Sequence, residues 1–466
     1  MRTKARRSRT IALGLATVLS AGLLAGCSAG DTAAPDNRIT VWTQENLPPR
    51  MAATEKILDR FTEETGVEVE LVGVDENQLP QLIMSAAAAG RLPDVLAAAP
   101  MGQVWQMYSN DLLNTEVSTE IVERLDTKTF DAKALDLTSD GDTRLGVPSD
   151  AWLALLAYRK DLLEKEGLPA PDTYEDVLKA ARALDKDGRS GISLATDPAD
   201  ILTQQTFEGF AVGNDCRLVD GRGTVRLDSP ACRTSFDTYD KLARGYGPPG
   251  SQNVDSTRAT YFSGRSAMLG WSSFLLDELA GLRKDALPSC PECKKDPGFL
   301  ARNTGLVTAM KGPDGKEPTQ LGEVTSWAVT RTAETGASRT FVEYMMSKGY
   351  EDWFGMAPEG KIPVRTGTPE DPSQYQRAWR TSSLGVDERR PMDEVYPREL
   401  LDQLIEGVSD MQRWGIAQGE GALVGATNGE LPVPKAIGAM TGGQISSAEA
   451  AREAHDEVTA LQESLR

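Results

Sequence analysis

Three tryptophans of this chain stand beside polar residues. Trp42 is followed by Gln44, Glu45 and Asn46, Trp152 follows Ser149 and Asp150, and Trp271 precedes Ser272 and Ser273. An indole face packs against the C–H face of a sugar ring, while carboxylates and amides take its hydroxyls. One such Trp alone is more often a partly buried core aromatic. Three with polar neighbours at expected strand ends point to a ligand. The same Trp-plus-carboxylate groups could hold a cation through the ring face, so a polyamine or other cationic solute stays open. Trp105, Trp327 and Trp379 read as packing, and Trp353 and Trp414 are assigned neither way.

Catalytic arrangements are scarce. The single histidine, His455, sits among charged residues of a C-terminal helix, which removes His-based triads and multi-His metal sites. Gly355 to Lys361 begins like a phosphate-binding loop, but Ile362 stands where Ser or Thr is required, and Pro358 and Pro363 oppose a helix there. Carboxylates are plentiful enough for a secreted glycoside hydrolase, yet no pair stands out. No residue set calls for a cofactor or metal, and such a hydrolase stays open as the alternative to a protein that performs no chemistry.

Cys27 ends the run Leu24-Ala25-Gly26-Cys27, behind a basic stretch (Arg2, Lys4, Arg6, Arg7, Arg9) and 14 residues of mostly apolar chain from Ile11 to Leu24. That run is short for a membrane span, and the pattern is that of a signal segment, residues 1–26, cut before a lipidated cysteine. It places the protein at the outer face of the cell membrane, tethered through residues 27–37. Removing residues 1–26, with five basic and no acidic residues, moves the net charge from −19 to −24. So acidic a chain is a poor partner for nucleic acid. Four cysteines remain: Cys216, Cys232, Cys290 and Cys293. An even number in an oxidising compartment points to two disulfides. Three connectivities exist; Cys216–Cys232 with Cys290–Cys293 is favoured, and a redox or zinc role for the thiols is the alternative.

The elements that must position these residues follow from periodicity. Alternation predicts strands at 39–43, 67–72 and 93–97, with helices between them over 51–66 and 79–89. This β-α-β-α-β order argues for an α/β domain with a largely parallel sheet. An extended segment, 149–158, is long enough to leave one lobe and begin another. Helices follow at 159–166 and 174–184, strands at 305–309 and 325–330, and helices at 334–346 and 446–465, the last behind a capping box at Ser446 and Glu449. Asp185 to Gly188 reads as a turn.

In order and spacing, these stretches resemble the extracellular solute-binding proteins of ABC transporters, family 1, the group of the maltose-binding proteins. The resemblance is carried by Ile39–Trp42, Leu58–Val69, Gly90–Val95, Gly146–Pro148 leading to Ala157–Leu163, Phe262–Met268 and Lys361–Arg365. It implies a type II periplasmic-binding-protein-like fold, with a ligand cleft between two lobes joined by a multi-crossover hinge. Lobe 1 would comprise 38–150 and 305–350, and lobe 2 would comprise 151–304 and 351–466. It implies a monomer that closes on a mono- or oligosaccharide and delivers it to permease subunits. By position it implies ligand contacts from Trp42, Gln44, Glu45, Asp150, Trp152 and Trp271, with Asn77, Asn303 and Arg365 less firmly placed. The four extra cysteines and the long 405–445 segment depart from the family pattern.

Overall fold

A computed structural model describes residues 37–76 and 78–465. The expectations for the signal segment, for Cys27, for most of the tether and for Asn77 lie outside the described residues. Nine strands form the main sheet: β1 (Arg38–Thr43), β2 (Glu68–Gly73), β3 (Val95–Pro100), β4 (Val147–Arg159), β5 (Met268–Ser272), β6 (Thr304–Val307), β7 (Gln320–Val329), β8 (Ile362–Pro363) and β9 (Met411–Gln412). The helices that matter below are α1 (Pro48–Thr65), α2 (Leu79–Ala88), α3 (Met101–Ser109), α4 (Tyr174–Leu184), α5 (Ile201–Gly213), α6 (Pro230–Tyr246), α7 (Leu275–Leu279), α8 (Thr335–Met345), α9 (Arg398–Asp410), α10 (Gly421–Glu430), α11 (Pro432–Thr441) and α12 (Ser447–Ser464).

The first elements form as their sequence dictates. Ile39 and Val41 alternate into the core on β1, which pairs in parallel with β2 and β3. Prolines open α1, where their missing N–H costs nothing, and Gly66 closes it at φ 72°, its N–H returning to the Thr62 carbonyl. Thr173 caps α4, and Ser446 with Glu449 forms the capping box of α12. Asp187 and Gly188 turn at φ 57° and 74° between Lys186 and Arg189, as a turn and not an ion loop.

Several boundaries shift from expectation, and on β3 and β7 the shift has a visible cause. β3 begins two residues late because Asp94 is used as a cap, accepting from the backbone N–H groups of Thr40 and Glu334. It then runs on to Pro100 through a bulge at Ala98, φ 53°. β7 begins at Gln320, five residues before the expected start, because its early residues look like loop. Gly322 is there to admit Met411 and Leu153, and Glu323 is buried.

β4 is the organising strand. Its first half, Val147–Leu153, pairs with β7, and Ala151 and Asp150 pair with β8. Its second half, Ala154–Arg159, pairs with β5 and β6 instead. The spatial order β8-β4-β7-β3-β1-β2 thus makes one group, and β4 carries the chain into another built on β5 and β6. One continuous apolar core runs through both groups. The favoured disulfides are both present, Cys216–Cys232 and Cys290–Cys293. Within 351–380, Arg365 anchors the chain on the first group, donating to Leu125 O and Thr129 Oγ1, and Trp379 Nε1 closes the segment on itself at Pro358 O. Residues 415–464 lie instead against α5, α6 and the 218–223 turn of the second group, with α10 reaching α3.

Candidate functional site

The segment after β1 turns Glu45 inward, toward the start of α1 and the 3₁₀ turn Pro358–Gly360 that precedes β8. Lys361 Nζ stands 2.7 Å from Glu45 Oε1 and 3.1 Å from Asp150 Oδ1. Arg50 then bridges Glu45, at 2.8 Å, and Glu359, at 3.3 Å. Asp150 also accepts from Trp353 Nε1 at 3.0 Å and from the Ser149 hydroxyl, while the Lys361 ammonium lies 4.3 Å from the Trp353 ring centre. This is a chain of alternating charges, all buried or nearly so. Burial alone would raise the Glu45 carboxyl, but Lys361 and Arg50 outweigh it and hold the group at about 2. Burial likewise opposes charge on Lys361, and Asp150 and Glu45 restore it, so its pKa is raised.

A second charged cluster sits where the two strand groups meet. Arg413 lies 2.9 Å from Glu323 on β7 and 3.3 Å from Glu208 on α5. Glu323 Oε1 accepts the Met101 N–H at the start of α3, 2.8 Å, and Glu208 accepts from the Trp414 N–H, 2.8 Å. Glu323 is the cross-strand partner of Trp152, which is half-buried. Here Arg413 Nε and Nη1 meet their carboxylates as ion pairs without hydrogen-bond alignment, and Gln204 Oε1 and Thr206 Oγ1 are enclosed without a hydrogen-bond partner in the chain. On the β5 side, Asp277 (both oxygens), Glu278 Oε2 and Glu359 Oε2 share that condition, beside Arg258 and Arg283. Burial first, then Glu359 and Glu278, pushes the Asp277 carboxyl well up, and burial raises Glu359 and Glu278. Enclosed polar atoms of this kind cost free energy unless something supplies their hydrogen bonds.

At the rim, Glu76 reaches solvent yet is closely surrounded. Partial desolvation raises its pKa, and Glu323, Glu45, Asp75 and Asp200 add to the effect. A cavity of about 40 Å³ lies beneath Trp271, lined also by Ala154, Thr206, Gly270 and Leu321. A larger groove, about 780 Å³, runs along α9 and the 315–320 turn and is lined by Gln320, Gln403, Gln412, Arg413 and Trp414. It shares Arg413 with the second cluster but none of the expected ligand residues.

The structure joins Glu45 and Asp150 through Lys361 and sets Trp152 against Glu323. Gln44 lies next to them, half-buried. Trp42 falls within β1, opposite Val72 and Leu96, half-buried against the core. Trp271 is 8% exposed, with the Arg258 guanidinium 5.8 Å from its ring centre. Asn303 ends a short helix, its amide donating to Phe299 O, at the end of β6 that pairs with Arg159. Arg365 is buried and donates to Thr129 Oγ1, Leu125 O, Met346 O and Tyr375 OH. Neither is brought to the clusters. Trp105, Trp327 and Trp379 are buried packing residues, whereas the buried Trp353 and Trp414 stand in the two charged clusters, through Asp150 and Glu208. The sequence reading missed Lys361, Arg50, Glu208, Glu323 and Arg413. Glu323 alone carries a sequence signal, a charge ahead of the apolar run of β7; the others read as ordinary surface charges.

With this geometry in place, comparison with known proteins is informative. The sequence profile of the bacterial extracellular solute-binding protein family matches residues 44–352. The Escherichia coli (strain K12) protein YcjN, whose name describes it as an ABC transporter periplasmic-binding protein, is 25% identical over 362 residues, covering 75% of this chain and 78% of YcjN. The structure of maltose-bound MalE3 of T. maritima superposes with a TM-score of 0.69 at 17% identity, covering 91% of this chain and 99% of that one. The GacH receptor of Streptomyces glaucescens, solved unliganded and with acarbose, gives 0.69 at 20% identity, covering 91% and 98%. A sugar transporter of Arthrobacter chlorophenolicus with bound laminaribiose gives 0.69 at 14%, covering 91% and 99%. At these identities the solved structures establish the two-lobed α/β fold alone.

Proposed function

The chain belongs to the bacterial extracellular solute-binding protein family, and from that premise we propose that it captures a mono- or oligosaccharide between its lobes and hands it to the permease of an ABC importer. The carrying observation is the set of enclosed polar atoms along the seam, on Gln204, Thr206, Arg413, Asp277 and Glu278, beside Trp152 and Trp271. A polyol supplies hydroxyls that both donate and accept, and its C–H faces suit the two indoles. The sugars bound by MalE3, GacH and the Arthrobacter protein support the same class. Closure follows if the ligand binds the closed form more tightly than the open one. The lobes we propose are 38–150 with 305–350, and 151–304 with the C-terminal helices, residues 351–380 riding on the first. Lipidation at Cys27 would hold the protein at the outer membrane face, and among the described residues no helix is long and apolar enough to cross a membrane. No chemistry is proposed: the ligand is released unchanged.

The acidic surroundings of Glu76, together with the Trp-and-carboxylate groupings, keep a second reading open, an amine-bearing solute in the same cleft. Thermal unfolding of residues 28–466 against a panel of sugars and polyamines separates the two. A ligand at a hundred times its Kd adds about 2.7 kcal/mol, a visible shift. A shift with one sugar family supports the first reading, and a shift with polyamines alone replaces it. Sugars cleaved in the same tubes would move the protein to the hydrolases.

A further inference from the structure

We propose that the Cys216–Cys232 disulfide and Trp414 are positioning groups, which hold the Arg413 guanidinium where it meets the solute. The inference rests on the solute-binding reading above. The two sides of Arg413 are held differently. On its N-terminal side β9 pairs with β7, Met411 with Gln320 and Gln412 with Leu321. The strand ends at Gln412, and on the C-terminal side Trp414 takes over. Its backbone N–H donates to Glu208 Oε1 at 2.8 Å, and its indole Nε1 donates to Cys216 O, also at 2.8 Å. Glu208 Oε1 is the same atom that Arg413 Nε approaches at 3.3 Å. One carboxylate oxygen therefore ties the guanidinium to the backbone of the next residue, and a shift of Trp414 moves both.

The indole in turn hangs from Cys216, three residues beyond the end of α5, where the chain has left the helix. Its disulfide partner, Cys232, stands in the first turn of α6, with its N–H on the Ser229 cap. Beside the disulfide, Asn214 Nδ2 donates to Ala231 O at 2.8 Å. Phe207, next to Glu208, packs on Phe236 of α6, ring centres 4.4 Å apart, and on the Trp414 indole, 6.0 Å. Both cysteines and Trp414 are buried. A disulfide stabilises any fold by constraining the unfolded chain. This one also fixes the carbonyl that receives the Trp414 indole, one residue from Arg413. Ties within one buried polar network act together and do not simply add.

Two variants test this. Trp414→Phe keeps an aromatic ring and removes the Nε1 donor. Affinity for the sugar that shifts the thermal panel should fall about two- to tenfold. Cys216→Ser/Cys232→Ser should lower it at least as far, with Trp414 and Arg413 intact. The deciding comparison is a double-mutant cycle with Arg413→Lys. Positioning predicts that Trp414→Phe adds little to the loss that Arg413→Lys already causes. Losses that multiply in full would overturn the proposal, and so would wild-type affinity in the folded fraction of Trp414→Phe. If no panel member binds, the solute reading fails separately, and the brace is read in the ligand-free protein by hydrogen exchange. Peptides spanning 411–416 should then speed up in the cysteine variant on the order of tenfold more than peptides of β4. An equal rise in both, the mark of a general loss of stability, would reject the brace, as would no rise at all.

Discussion

Two arginines of this protein are buried to nearly the same degree, Arg365 at 3% and Arg413 at 5% exposure, and they are treated in opposite ways. Arg365 donates to two backbone carbonyls, a threonine hydroxyl and a tyrosine hydroxyl, and burial lowers its pKa with no carboxylate in contact. It is a pin holding the 125–130 segment, the end of α8 and the chain after β8 together. Arg413 stands between two carboxylates that raise its pKa against burial, yet Nε and Nη1 have no aligned acceptor. A saturated group is scaffold. On the proposed reading, a charged group whose ion pairs lack hydrogen-bond alignment is the one a ligand engages.

The same contrast separates the Asp150–Lys361–Glu45–Arg50 chain from the seam, and substitutions should break it in order. The largest effect is expected from Lys361→Met, which leaves Asp150 and Glu45 buried without their shared cation and costs about 3–5 kcal/mol in urea unfolding. The pH dependence follows from Glu45. Its folded pKa lies below the unfolded value, so its stabilisation is present above pH 4.5 and is lost as pH falls toward about 2. The deficit of Lys361→Met against wild type should shrink over that window, and a deficit constant with pH would reject the pairing account.

Arg365→Met should cost about 2–4 kcal/mol, because enclosed carbonyls lose their donor. Ligand affinity of the folded variant should be unchanged; a weaker Kd by titration calorimetry would return Arg365 to the ligand site. Arg413→Lys keeps the charge between Glu208 and Glu323 but loses the planar fork. It should weaken binding by about 1.5–3 kcal/mol, more than it lowers stability. The smallest effect sharpens the choice of cleft over groove. Gln204→Ala should cost about 0.5–1.5 kcal/mol of affinity, while Gln412→Ala, in the groove beside α9, should leave affinity at the wild-type value. The reverse pattern would move the ligand to the groove.

The scaffold was legible because its signals are local. Gly66 ends a helix, Ser446 and Glu449 cap one, and the alternation of Ile39 and Val41 declares a strand, each within a few residues. The crossing of β4 could be anticipated from its length. The Arg413 cluster could not, since Glu208, Glu323 and Arg413 come from three distant segments and each, alone, reads as a solvated charge. Tryptophan was an uneven guide. Trp152 meets Glu323 at the seam, whereas Trp42 turned toward the core because it sits inside β1 and not beyond it. Arg365 was drawn in by a motif, and only its four acceptors show that its donors are spent.

The most direct test is equilibrium binding of the panel's best sugar to residues 28–466 and to Arg413→Lys, at low and high salt, with the ligand recovered afterwards. The account predicts saturable binding at one site per chain, little changed by salt, weakened in Arg413→Lys, and ligand returned intact. Binding abolished by salt, a cleaved ligand, or wild-type affinity in Arg413→Lys would contradict it.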